Sequence, residues 1–194
     1  MAATIMLLAT GAPALAEKLP LVDISTYFNN MTTAVAEFTQ INDDGSLSTG
    51  EIFIRRPGRI RFEYNPPDDS MVMAGKGQVA VFDAKSNQPP ERFPLVRTPL
   101  YLILAKTVNL NRDKMVVGHA ENGPSTSVLA QDPEHPEYGT IELVFTDKPL
   151  ALRQWIVTDG SGQRTTVILG EFNLGGRLDN KLFDIDSEME TRGF

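Results

Sequence analysis

Hydrophobic positions along the chain change their spacing near residue 38. Before that point, Ile24, Phe28, Met31, Val35 and Phe38 follow a four-three-four-three spacing, which places them on one face of a helix. The pattern therefore predicts one amphipathic helix over residues 19–38. We expect its apolar face to pack against a sheet.

From residue 38 onward the pattern is typical of short strands separated by turns. Residues 59–64 alternate strictly, with Ile60, Phe62 and Tyr64 on one face and charged residues on the other, which predicts a half-buried antiparallel strand. Turn residues predict hairpins at 43–46, 56–58 and 75–77. Further strands are predicted at 50–55, 70–74, 78–83, 126–130, 140–145, 151–158 and 164–172.

A second apolar segment, residues 99–105, predicts a short buried helix with Thr98 as its N-cap and Pro99 at its first position. The proline-rich stretch 84–98 is expected to be irregular, and the polar tail from Asp184 is expected to fray. The order of elements predicts an α+β fold with a strongly curved antiparallel sheet or partial barrel. A helix over the mouth of such a sheet encloses an apolar cavity.

Charge and composition narrow the function classes. The 194 residues include 18 Lys+Arg and 25 Asp+Glu, a formal net charge of −7, which argues against a nucleic-acid partner. No run of about 18 apolar residues predicts a membrane-spanning helix. The sequence has no cysteine, which excludes a disulfide framework, a cysteine nucleophile, cysteine-ligated zinc and thioether lipidation of this chain.

Residues 1–16 are apolar and rich in small side chains, and they end in the A-x-A pattern of Ala14 to Ala16. This pattern predicts a secretory signal peptide over residues 1–16, N-terminally truncated because the basic n-region is missing. A folded or disordered N-terminal arm is the alternative. We expect cleavage to leave one exported domain, residues 17–194, in the periplasm.

Candidate catalytic chemistry is sparse. His119 and His135 stand in polar stretches without metal-ligand spacing, so we interpret both as exposed loop histidines. Gly75-x-Gly77-x-x-Ala80 resembles a dinucleotide fingerprint, but a second strand pattern follows it instead of a helix, which favours a hairpin. The sequence therefore predicts no enzyme, no metal and no cofactor.

Two other features have open interpretations. Arg55, Arg56 and Arg59 are either solvated turn and edge-strand charges, or one of them donates hydrogen bonds across the mouth of a cavity. Met71 and Met73 alternate on one strand face, either as ordinary core residues or as an adaptable surface for variable apolar shapes.

Four segments together resemble the LolA family of periplasmic lipoprotein carriers: FTQ at 38–40, GEIFIRRPGRIRFEYNPP at 50–67, GKGQVAVFD at 75–83 and TPLYLIL at 98–104. The resemblance covers roughly residues 27–183. It implies an unclosed β-barrel capped by helices, with an apolar interior that receives lipoprotein acyl chains. It further implies that Arg56 holds a lid closed by hydrogen bonds and that Ile60 faces the interior.

Strand alternation and helix periodicity add further expected residues around this interior. The cavity and lid-side lining is expected to include Phe62, Tyr64, Met71, Met73, Val81, Phe28 and Met31. The lid helix is expected to carry Leu100, Leu102 and Ile103.

The resemblance also implies partners: an inner-membrane ABC-type complex that loads the carrier and an outer-membrane receptor that accepts the cargo. We expect a monomer. The alternatives are a LolA-like carrier of another lipid and a regulator that senses lipoproteins. A third alternative is a secreted hydrolase, but the sequence shows no nucleophile–base pair that would support it.

Overall fold

The computed structural model describes residues 18–111 and 114–194, so the predicted signal peptide lies outside the described residues. The elements of this part are α1 (Leu21–Asn30), β1 (Thr33–Ile41), β2 (Leu47–Arg55), β3 (Arg59–Tyr64), β4 (Met71–Gly75), β5 (Gln78–Phe82), β6 (Glu91–Pro94), α2 (Tyr101–Leu104), β7 (Val116–Asn122), β8 (Ser125–Gln131), β9 (Thr140–Thr146), β10 (Ala151–Thr158), β11 (Arg164–Leu169), β12 (Asn173–Leu174) and α3 (Ile185–Arg192).

All strands belong to one antiparallel 12-stranded sheet with the order β6-β5-β4-β3-β2-β1-β11-β10-β9-β8-β7, and β12 adds to the end of β1. In the described residues the outermost strands β6 and β7 do not pair, so the sheet is an unclosed barrel. This confirms the predicted fold class.

Aromatic contacts show how strongly the sheet curves. The rings of Phe62 on β3 and Trp155 on β10 lie 6.1 Å apart, although β2, β1 and β11 separate these strands in the sheet. Four strand spacings in a flat sheet would separate them by about 19 Å. The sheet therefore bends until its two halves face each other across one interior.

The first helix is shorter than the apolar spacing predicted. It ends at Asn30, and the chain from Thr33 continues as β1, so Val35 and Phe38 lie on a strand and not on the predicted helix stripe. The prediction of a helix to residue 38 was wrong. In β1, Ala34, Ala36 and Phe38 are buried with a period of two, because this segment pairs with β2 along its full length.

The hairpins around β2 to β5 confirm the predicted turns. Gly45 has φ +80° in the β1–β2 turn, and Lys76 and Gly77 have φ +49° and +79° in the β4–β5 turn. Positive φ at both central residues matches the twist of a two-residue hairpin. The glycine pattern at 75–77 is thus a turn between strands, as predicted.

Three segments differ from the prediction. Part of the stretch expected to be irregular forms the edge strand β6, and the stretch before residue 126 contains β7. The polar tail does not fray at Asp184, because its carboxylate caps α3 by accepting from the backbone N–H groups of Asp186 and Ser187. Gly193 ends that helix in the left-handed conformation.

Candidate functional site

The β2–β3 turn holds the end of α2 at one rim of the barrel. Arg56 Nη2 donates to the carbonyl oxygen of Ala105 at 2.6 Å. The backbone N–H of Gly58 donates to the carbonyl oxygen of Leu104 at 2.8 Å. The last carbonyls of a helix lack partners within the helix. The turn therefore supplies these partners and fixes α2 against the barrel.

The Arg56 guanidinium is partly buried beside neutral groups. It forms no salt bridge with a carboxylate in residues 18–111 and 114–194, and its Nε atom is buried without a hydrogen-bond partner. Burial lowers the pKa of Arg56 because it disfavours the charged form. The bond to Ala105 is thus the main compensation for the desolvation of this charge.

The neighbouring arginines point to the other side of the same turn. Arg55 Nη1 donates to the carbonyl oxygen of Leu178, and Arg59 Nη1 donates to Asn180 Oδ1 at 2.7 Å. The sequence left open whether these arginines are solvated or whether one of them bonds across the rim. Arg56 forms such a bond. Arg55 and Arg59 bind the C-terminal segment instead of being simply solvated.

Helix α2 is a single turn that directs apolar side chains into the barrel. Leu102, Ile103 and Leu104 are buried, and Leu100 just before the helix is half-buried. The predicted cap is wrong, because the Thr98 hydroxyl donates backwards to the carbonyl oxygen of Leu95 at 2.8 Å. The helix also begins later than predicted, at Tyr101 and not at Pro99. Its buried residues Leu102 and Ile103 were predicted to belong to the lid helix.

Inside the barrel, the β3 residues predicted to face the interior do so. Ile60 is fully buried and Phe62 is 5 % exposed, and both belong to the main apolar cluster with Phe28 of α1. Tyr64 lies further along the strand, where its hydroxyl donates to Gln40 Oε1 at 2.7 Å. Burial raises the pKa of Tyr64 to about 12. The interior is filled by α1 and α2 side chains in this conformation.

The methionines of β4 lie on the opposite face of the sheet. In the register of β3 and β4, Met73 stands opposite Arg61 and Met71 opposite Glu63, on the outer face. The expectation that they line the interior was wrong. The alternation within β4 showed that the two methionines share one face of the strand, but not whether this face points inward or outward. Both pack beneath α3 in a second apolar cluster. Val81 of β5 is half-buried and lies opposite Val72, on the inner side.

A groove of about 400 Å³ opens where the end of α1 meets the β9–β10 turn. Met31, predicted to line the cavity, also borders this groove, together with Tyr27, Leu150 and Leu174. The Tyr27 hydroxyl accepts from the backbone N–H of Leu152 at 3.3 Å, and burial raises the pKa of Tyr27. Leu174 is 57 % exposed, so an apolar side chain faces solvent at this groove.

Sequence reasoning missed the polar residues that join α1 to the chain after α2. Asn29 donates through Nδ2 to the carbonyl oxygen of Val108 and accepts from its N–H through Oδ1, both at 2.9 Å. Ser25 Oγ accepts from the N–H of Leu110 at 3.0 Å. A polar residue on the edge of an amphipathic helix carries no sequence signal for such a role, since solvated helix faces have the same composition.

The histidines do not form a metal site. His119 lies on β7, not in a loop as predicted, and its Nε2 atom is 2.9 Å from the carbonyl oxygen of Leu19. His135 is exposed and stacks on Tyr138, with Nδ1 3.0 Å from Glu137 Oε1. In the part of the chain that the structure describes, no group of three or more metal-ligating side chains is placed to hold an ion.

Comparison with protein-family models assigns most of the chain to a known family. The model of "Outer membrane lipoprotein carrier protein LolA" matches residues 29–186, which include the sheet, the β2–β3 turn and α2. The chain belongs to the LolA family. The predicted resemblance to the LolA family, which covered roughly residues 27–183, is thereby confirmed.

Individual LolA-family relatives are distant but similar over most of their length. The outer-membrane lipoprotein carrier protein of Pseudomonas paraeruginosa is 25% identical over 167 residues, covering 81% of this chain and 79% of the relative. That of Azotobacter vinelandii is 23% identical over 181 residues, covering 89% and 86%. A solved domain of a proposed lipoprotein-sorting protein from Vibrio parahaemolyticus superposes with a TM-score of 0.50 at 12% identity, covering 86% of this chain and 96% of that domain, and supports the fold alone.

Among the described residues, no helix is long and apolar enough to cross a bilayer, and the longest, α1, has 10 residues.

Proposed function

We propose that this protein is a periplasmic chaperone that carries lipoproteins from the inner to the outer membrane and shields their acyl chains inside its barrel. The chain from residue 17 to 194 would act as one LolA-like domain. The observation that carries the proposal is the bond from Arg56 to Ala105, which fastens α2 over an apolar interior.

The physical demand on such a carrier is large. Each CH₂ group of an acyl chain removed from water gains about 0.8 kcal/mol, so a lipoprotein with several chains does not cross an aqueous space unshielded. The interior of this protein is filled by side chains that include Phe28, Leu102 and Ile103. Cargo therefore enters only if α1 or α2 moves outward and exchanges its own apolar contacts for acyl chains.

The attachment of the two helices suggests how this movement would occur. The segment at Val108 is bonded to Asn29 of α1, whereas α2 itself is held to the barrel by the β2–β3 turn. Breaking the bonds to Leu104 and Ala105 would free α2 while the chain after it stays attached to α1. We infer that residues 105–107 form the hinge and that α2 is the lid.

The proposed cycle needs two partners, an inner-membrane ABC-type complex for loading and an outer-membrane receptor for release. The carrier would act as a monomer and would bind no nucleic acid. No covalent bond is made or broken in this cycle, so the protein would be a binding protein without a cofactor and not an enzyme.

The test is mass spectrometry of the protein purified gently from periplasm. Wild type is compared with Arg56→Leu, which removes the lid bond, and with Arg97→Leu, which removes an exposed cation near α2. We expect triacylated lipoprotein on wild type and Arg97→Leu, and an altered amount on Arg56→Leu. A different lipid on all three would indicate a LolA-like carrier or sensor of other cargo. Equal lipoprotein loading and normal lipoprotein sorting in Arg56→Leu would contradict the lid role.

A further inference from the structure

The outer face of β3 to β5 is covered by residues 178–194, which we call the C-terminal strap. Phe183 and Ile185 of the strap are buried, and Ile185 packs with Met71, Met73 and Phe82 in an apolar cluster separate from the main core. Ile185 is the buried residue of α3, so this helix should detach more readily than the barrel unfolds, because local stability follows local burial. The strap therefore has its own, smaller attachment energy.

Charged contacts align the strap on this face. Arg61 Nη1 donates to Glu188 Oε2 at 3.0 Å and to the carbonyl oxygen of Leu182 at 3.1 Å, and the side chains of Arg61 and Glu188 are only 10% and 16% exposed. The pairs of Lys76 with Asp184 and of Arg92 with Asp186 are more exposed and contribute less. An acidic strap thus lies on a face that is partly basic and partly apolar.

The strap and α2 are held by the same five-residue turn, from opposite sides. Arg55 and Arg59 donate to Leu178 and Asn180 of the strap. Arg56, between them, donates to Ala105 at the end of α2. No other turn among the described residues is bonded in this way to both segments.

We propose that the strap and the α2 lid are energetically coupled through the β2–β3 turn, so that release of the strap favours opening of the lid. This inference rests on the proposed role of α2 as a lid.

The physical cause lies at the base of the turn. Arg55 and Arg59 are directly opposite each other on β2 and β3. Like charges in this position repel and destabilise the pairing. Burial and the charge of Arg55 both lower the pKa of Arg59. The oxygen atoms of Leu178 and Asn180 offset this repulsion. Without the strap the base of the turn is strained, and the turn fixes Arg56 less well.

Coupling of this kind is reciprocal, because both segments bias one equilibrium. Release of the strap should loosen the lid, and release of the lid should loosen the strap by the same factor. Both effects are measurable on single amides. The Gly58 N–H is bonded to Leu104 of α2, and the Glu188 N–H is bonded to Asp184 within the strap.

The experiment is native-state hydrogen exchange measured by NMR on the full chain without cargo. The double variant Ile185→Asp with Met189→Asp places charges in the apolar cluster under α3. Its matched control, Ser187→Asp with Thr191→Asp, places the same charges on exposed positions of the same helix. We expect Gly58 to exchange at least about tenfold faster in the first variant than in the control, with the amides of β10 unchanged. Loss of protection at Glu188 with an unchanged rate at Gly58 would overturn the coupling.

A second variant tests the coupling from the other side and decides the matter if the double variant does not fold or keeps its strap. Among the described residues, the Arg56 side chain donates to Ala105 and forms no hydrogen bond with the strap, and we expect faster exchange at both Gly58 and Glu188 in Arg56→Leu. Faster exchange at Gly58 with an unchanged rate at Glu188 would overturn the proposal. Because no cargo is present, failure here is distinct from failure of the carrier function, which lipoprotein binding reports.

Discussion

Arg56 donates a 2.6 Å hydrogen bond to the carbonyl oxygen of Ala105, which lies 49 residues further along the chain at the end of α2. The donor is charged and partly buried, and the acceptor is neutral. A hydrogen bond to a charged group contributes about 1.5–3 kcal/mol. This is the range needed to keep a lid mostly closed and still allow it to open, since an open conformation a few kcal/mol higher remains populated.

Replacing Arg56 by leucine should open the lid more often. Loss of one charged hydrogen bond of about 1.5–3 kcal/mol corresponds to a tenfold or greater rise in the open population. We expect the Gly58 amide to exchange at least about tenfold faster in Arg56→Leu. Arg97→Leu carries the same charge change at an exposed position and should exchange as wild type does. Equal rates in all three proteins would mean that the Arg56 bond does not limit opening.

Asn29 should matter for the stability of the fold more than for the lid. Its side-chain amide pairs with both the N–H and the carbonyl oxygen of Val108, a residue that is 1 % exposed. Asn29→Leu leaves two backbone groups without partners, and each unsatisfied group costs about 1–3 kcal/mol. We expect the free energy of unfolding to fall by about 2–4 kcal/mol in a urea titration.

The control for this change is Asn111→Leu, at an exposed position after the same segment. It should shift the urea midpoint by far less. If Asn29→Leu were as stable as this control, the joint between α1 and residues 108–110 would not be rigid, and the hinge would have to lie elsewhere.

The local pattern of the sequence predicted most of the strands, but it did not show which face of each strand lies inside the barrel. Alternation in 59–64 predicted β3 with its inner residues Ile60 and Phe62, because one side of that strand is apolar and the other charged. In β4 both faces are apolar, since α3 covers the outside, and no local signal shows which methionines point inward. The face of such a strand is set by its register with β3, which is a long-range property.

The same limit applies to the lid and the strap. The run from Arg55 to Arg59 left open whether one arginine bonds across the rim, and the family resemblance pointed to Arg56, but the partner Ala105 followed from neither. The tail from Asp184 was expected to fray because it is polar. Its stability comes from Arg61 and from the methionines of β4, which are more than 100 residues away in sequence.

Gly75 should be irreplaceable where the strap crosses β4. A Cβ atom built at this position would lie 2.1 Å from the carbonyl oxygen of Phe183, closer than side chains approach backbone atoms. Gly75→Ala must therefore push the strap away. We expect a loss of protection at the Glu188 amide and a fall of about 1–3 kcal/mol in stability. Gly176→Ala, where the added Cβ meets no atom within 4 Å, is the control and should leave both unchanged.

The contribution of Glu188 should depend on pH in one direction. Burial acts to raise its pKa, but the bonds from Arg192 and Arg61 outweigh this, so the pKa of Glu188 is lowered from 4.5. A carboxyl whose pKa is lower in the folded state stabilises that state above its unfolded pKa, and this contribution is lost as the pH falls through the folded value. The bonds of Glu188 should therefore stabilise the protein fully at pH 7 and progressively less below about pH 5.

The measurement is the difference in unfolding free energy between wild type and Glu188→Gln over a series of pH values. We expect about 1–2 kcal/mol at pH 7, shrinking toward zero as Glu188 becomes protonated in the folded protein. Glu190→Gln removes an exposed carboxylate from the same helix and should show a small difference at every pH. A difference for Glu188→Gln that stays constant down to pH 3 would show that its role is packing and not charge, and the strap would then be held by Ile185 and its methionine neighbours alone.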